Sequence, residues 1–136
     1  MFEAMKVVEY ELDGQAVRLT VTRASTLTGT RRSILIYNAL EEMRKAKADG
    51  QEPDDAIMVL KTSTFPSIVA GTKQAEGIPW PLSFDQFCEL PDTLVYQWER
   101  AIFDLNPHWN PAGDIETEKA EQEKKASTST SESSAT

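Results

Sequence analysis

The sequence predicts an α+β fold: an N-terminal β-hairpin packed on a small helical domain of three to four helices, with a disordered C-terminal tail. Three observations carry that reading. An Asp-Gly pair joins two segments of alternating apolar and polar residues near the N-terminus. The segment around Trp98 carries the cleanest helical stripe in the chain. After Ala112 the composition turns polar and Ser/Thr-rich, with Ile115 the last large apolar residue. The boundary therefore falls between a single domain over 1–112 and a tail over 113–136.

The hairpin is expected over Met5–Leu12 and Gln15–Thr22, turning at Asp13-Gly14. Val8, Tyr10 and Leu12 share one face of the first segment, and Val17, Leu19 and Val21 share a face of the second. Because an isolated hairpin is marginally stable, it should lie on helices or pair with a strand of a partner.

A helix is expected from about Thr26 to Asp49, stopped by Gly50, with Leu27, Ile34, Leu35, Tyr37, Leu40 and Met43 approximating one apolar stripe and Glu41, Glu42, Arg44, Lys45 and Lys47 forming the wet side. Gly29 makes its first turn a weak one and moves the expected start toward Thr30. Arg31 and Arg32 then sit at the helix start, against its dipole, as solvated charges. The next helix begins at Pro53 with Asp54 and Asp55 in its first turn. Pro66 is expected to kink or break it, and Gly71 or Gly77 to end it. Gly77-Ile78-Pro79-Trp80-Pro81 reads as a loop stiffened by prolines.

Ser83 with Gln86 has capping-box spacing and opens a short helix over Phe84–Glu89. Pro91 starts the last helix, whose Leu94, Val95, Trp98, Ala101, Ile102 and Leu105 line one face, and Asn106-Pro107 ends it. Trp98 is placed in the core by that spacing.

Composition narrows the function classes. The chain of 136 residues has 22 acidic and 14 basic residues, a net charge of −8. Six acids and three lysines lie in residues 114–136, so the tail holds −3 of that total and the body −5. An acidic body repels phosphate backbones, which argues against a nucleic-acid binder. One cysteine, Cys88, rules out an intramolecular disulfide and fits a reducing compartment. With a single histidine beside it, His108, a structural zinc site has too few ligands. The opening MFEAMKVVEYELDG lacks a signal-peptide pattern, and no apolar run reaches spanning length, so a soluble, non-exported protein is expected.

Catalytic parts are sparse. Cys88, His108 and Asn106 are residue types able to form a thiol-catalysis trio. Against this, Cys88 falls beside Phe84 and Phe87, where a small buried thiol is ordinary, and His108 follows a helix stop, where an imidazole caps carbonyls. Gly29-Thr30-Arg31-Arg32 lacks the Lys-Ser/Thr of a phosphate loop, and Asp54/Asp55 are helix-start acids rather than an acid/base couple. No catalytic, cofactor-binding or metal-binding residues are assigned. Trp80 and Trp109, in proline-flanked loops, serve equally as loop anchors or as docking side chains.

The runs Leu82-Ser83-Phe84-Asp85-Gln86-Phe87 and Leu90-Pro91-Asp92, then Trp98 and Leu105-Asn106-Pro107-His108-Trp109, resemble tail assembly chaperones of long-tailed double-stranded DNA phages and prophages. The resemblance centres on residues 81–111. It implies a non-enzymatic protein of the host cytoplasm, absent from the mature virion. Such a protein binds the long, helical, hydrophobic tape measure protein, and in some cases the major tail tube protein, before the tube polymerises. It also implies that a longer product can arise by frameshifting, for which Lys124-Lys125 is a place an A-rich run would encode. The docking residues expected under this reading are Trp80, Phe84, Tyr96 and Trp109, with no nucleic-acid or membrane partner and self-association left open. The alternatives are a small structural or adaptor subunit of a phage or prophage particle, and a cytoplasmic regulatory domain.

Overall fold

The computed structural model describes residues 4–110. The expected tail, with Ile115 and Lys124-Lys125, lies outside the described residues. The chain divides into two compact units, one ending at Asn106 and the second beginning at Pro107.

The first unit opens with strands β1 (Met5–Leu12) and β2 (Gln15–Thr22), paired antiparallel so that Val8 faces Leu19 and Tyr10 faces Val17. Asp13 and Gly14 both have positive φ, as a two-residue turn matching the strand twist requires. Val17, Leu19 and Val21 are fully buried. Their partners Val8 and Tyr10 are half-buried because β1 is an edge strand and β2 the centre of the sheet.

The sheet has a third strand, which the sequence reading did not anticipate: β3 (Thr72–Glu76) pairs antiparallel with β2, giving the order β1-β2-β3. Gly77 therefore ends a strand rather than a helix. Its φ is +87°, and a Cβ there would collide with the carbonyl oxygen of Ala16 in the neighbouring strand.

Helix α1 (Thr26–Ala48) starts earlier than Gly29 suggested. Ser25 Oγ accepts from the Thr28 amide at 3.2 Å, and Thr28 Oγ1 accepts from the Ser25 amide at 2.9 Å. This reciprocal cap holds the first turn despite the glycine, with threonine in the place usually taken by Glu or Gln. Arg31 and Arg32 thus lie inside the helix. Arg31 is exposed, but Arg32 is half-buried and its Nε donates to Ser67 Oγ at 2.9 Å, so it is not a solvated end charge.

Helix α2 (Asp55–Val59) is capped by Asp54, whose carboxylate accepts from the Ala56 and Ile57 amides. It runs without a break through a π-helical segment, Leu60–Thr64, into α3 (Phe65–Gly71). Pro66 was expected to kink or break the helix here. Instead the preceding turn widens, with the Phe65 amide bonding back five residues to the Leu60 carbonyl. A wider turn accommodates a residue that has no amide proton and would otherwise crowd the carbonyl four residues earlier.

Helix α4 (Phe84–Cys88) carries the reciprocal Ser83–Gln86 cap read from its spacing. Cys88 departs from expectation: it is exposed, because in a helix of little more than one turn Phe84 and Phe87 occupy the inward side. Helix α5 (Asp92–Leu105) buries Leu94, Trp98, Ala101 and Ile102. These residues, Ile68 of α3 and the inner face of β2 form the core. At its exit the buried Asn106 accepts from the Ala24 amide at 2.8 Å and donates to the Thr22 and Ile102 carbonyls, tying α5 to the β2–α1 connection. Among the described residues no helix is long and apolar enough to cross a membrane.

In the second unit the described residues form one turn, Pro107–Trp109, closed by the Asn110 amide on the Pro107 carbonyl.

Candidate docking surface

Helix α1 is where apolar residues and solvent meet most extensively. At 3.6 residues per turn, Arg32, Leu35, Ala39, Glu42, Met43 and Ala46 fall on one side. That side faces the α2–α3 run: Ala39, Met43 and Ala46 line a groove with Pro53, Ile57 and Met58, while Leu35 lies across from Phe65 and Phe84. Ile34, Tyr37 and Leu40 fall on the opposite side and keep 53 %, 63 % and 48 % of their surface in water. Leu27, two turns earlier, is also exposed. Of 23 residues in this helix only Ala39 is fully buried, so the helix is apolar on two faces and covered on one. From Leu27 to Leu40 the exposed row runs about 20 Å along the helix.

The groove on the covered side is bridged at its middle by Lys61, from the π-helical segment. Its Nζ meets Glu42 at 3.4 Å and lies 5.1 Å from the centroid of the Phe84 ring. Smaller exposed apolar sites are Val59 on α2 and the outer face of β1, where Met5 and Val7 are followed on the same face by Glu9 and Glu11.

The four expected docking residues differ in burial and in their ring neighbours. Trp80 is half-buried, its ring 6.1 Å from that of Trp98. Phe84 is half-buried in a cluster with Phe65 at 5.4 Å and Phe87 at 6.2 Å. Tyr96 is exposed on α5, with the Arg100 guanidinium 5.7 Å from its ring centroid. Trp109, in the second unit, is buried, with the His108 ring 5.6 Å away. Tyr96 is the one of the four whose ring stands mostly in water. Ile34, Tyr37 and Leu40 were recognised in the sequence as apolar stripe residues. The single stripe expected with Leu35 and Met43 is instead split over two faces of the helix, and sequence alone does not say which of the two the core will cover.

The groups considered for catalysis are placed as follows. Cys88 is exposed, yet partial burial of its sulfur and the carboxylates of Asp85 and Glu89 push its thiol above the ordinary range, away from the reactive thiolate. Asn106 spends both ends of its amide on backbone groups. Among the described residues no three His, Cys, Asp or Glu side chains gather as a metal site would require.

No family model matches the chain, and neither a curated protein nor a solved structure shows significant similarity to it.

Proposed function

We propose that this protein is a helix-binding protein that covers the apolar stripe of a partner with the solvent face of α1. More particularly, it acts as a tail assembly chaperone of a long-tailed phage or prophage, holding the tape measure protein soluble until the tail tube forms around it. The observation that carries this reading is the row Leu27, Ile34, Tyr37 and Leu40, apolar and unburied on a long, well-capped helix. Helix-in-helix docking uses such rows at spacings of three and four. Burying the exposed half of each side chain contributes on the order of 1 kcal/mol apiece, a modest sum suited to a client that must later be released.

The test is co-expression with the long helical protein encoded nearest downstream, followed by pull-down and a solubility assay. The expected result is a soluble complex that Tyr37→Glu combined with Ile34→Ser disrupts, while the thermal midpoint of the protein alone stays within a few degrees. A client insoluble with and without this protein sinks the chaperone reading. Retention of the protein in purified particles moves the structural-subunit reading ahead.

A further inference from the structure

Helix α1 is the basic element of an acidic protein. It holds Arg31, Arg32, Arg44, Lys45 and Lys47 against Glu41 and Glu42, five charges against two and a net of +3. The whole chain carries −8, so everything outside α1 sums to −11. The pairing within the helix sharpens the contrast. Glu42 is engaged with Lys61 on the covered side, and Arg32 reaches Ser67 there. That leaves Arg31 beside the exposed apolar row and Arg44, Lys45 and Lys47 one to two turns beyond Leu40 along the same helix, with Glu41 as the one acid among them, bonded to Arg44 at 3.1 Å. The strip stops at the helix end, where Asp49 and Glu52 are exposed.

We infer that the solvent face of α1 selects an amphipathic helix whose apolar stripe is flanked by carboxylates. This deepens the docking reading above and rests on it. Apolar burial is indifferent to the sign of the flanking charge, so charge is what discriminates among helices of equal stripe. The Debye length is about 8–10 Å at physiological salt. A partner helix long enough to run along α1 from the row to the helix end therefore passes Arg31, Lys45 and Lys47 within about that distance, while acids farther off on the body are screened. The same pattern disfavours a second copy of this chain. Two α1 helices packed antiparallel through Tyr37 would bring Arg44 and Lys45 of each against Arg31 of the other, and packed parallel they would set like charges side by side.

The experiment uses the full chain and two fluorescein-labelled 22-residue peptides. Both carry the same leucine stripe at i, i+3, i+4 and i+7, one flanked by glutamates and the other by lysines. Fluorescence anisotropy is read at low and at high sodium chloride. At low salt the glutamate peptide binds at least tenfold tighter, and the gap closes as salt rises. The Lys45→Glu/Lys47→Glu variant reverses the preference, and Tyr37→Glu weakens both peptides. Equal affinities, or a preference that the charge reversal leaves unchanged, would overturn the inference. A concentration-dependent dimer in sedimentation that Tyr37→Glu dissolves would also overturn it, by giving the face to a second copy. The two readings fail separately. A glutamate preference with a client that stays insoluble defeats only the chaperone assignment. A soluble client complex with no peptide preference defeats only the charge selection.

Discussion

The indole nitrogen of Trp98 donates a hydrogen bond to Thr72 Oγ1 at 2.9 Å, joining the buried middle of α5 to the residue at which α3 stops and β3 begins. Trp98 is fully buried and Thr72 nearly so. The bond therefore lies in a dry setting where losing one partner leaves the other without compensation from water. Thr72→Val keeps the shape and removes the acceptor. It is expected to destabilise the protein by about 1–3 kcal/mol, the cost of an unsatisfied buried donor, read by urea unfolding followed through tryptophan fluorescence. Trp98→Phe, which also opens a cavity, is expected to cost more.

Asn106 is the second polar anchor of the core. Its side chain holds the Ala24 amide and two carbonyls from separate elements. Asn106→Ala removes all three bonds and strands the Ala24 amide. A loss of about 2–4 kcal/mol is expected at roughly 1 kcal/mol per bond plus the desolvation of the orphaned groups. Amide hydrogen exchange should show the loss concentrated at the start of α1 and the end of β2. Uniform loosening of the whole domain would count against a local clamp.

Gly71 packs its α-carbon against Ile102. A methyl added at Gly71 would stand 2.8 Å from Ile102 Cγ2. In an unconstrained helix Gly→Ala stabilises by up to about 1 kcal/mol. Here the expected sign is opposite, because Ile102 is buried and cannot yield cheaply. In an Ile102→Ala background the same methyl enters vacated space. A double-mutant cycle should then return a coupling of about 1 kcal/mol or more, and additivity would refute the close approach.

Glu99 on α5 is half-buried, and burial pushes its carboxyl above the ordinary value of 4.5, partly offset by a hydrogen bond from Thr64. The folded state therefore holds this proton to a higher pH than the unfolded state does. The favourable contribution is fully present below the unfolded pKa and is lost as pH rises through the folded one. Glu99→Gln should be more stable than the parent at neutral pH, and the difference should narrow as pH falls past that window. Thermal midpoints measured between pH 4 and 8 check this, and a parallel pair of curves would show that Glu99 is not the group responsible.

Local signals made several elements legible. Asp13-Gly14 between alternating segments marked the hairpin, because only a few residue pairs tolerate positive φ twice in succession. Ser83–Gln86 and the stripe from Leu94 to Ile102 marked α4 and α5, whose caps and inward faces are written within one or two turns of sequence. Gly29 misled at the start of α1, where the reciprocal Ser25–Thr28 cap holds the first turn in spite of the glycine.

Other features depended on residues far apart in the chain. Thr72–Glu76 has no alternating apolar pattern, and it is a strand because β2 offers it an open row of backbone donors and acceptors. The path through Pro66 depends on a widened turn that no local motif announces. The candidate surface belongs to the same class. The sequence determined that α1 would be a long helix carrying Ile34, Tyr37 and Leu40. Only the tertiary structure decided that Leu35, Ala39 and Met43 meet the α2–α3 run while those three face water, because burial is a property of what packs against a residue and not of the residue itself.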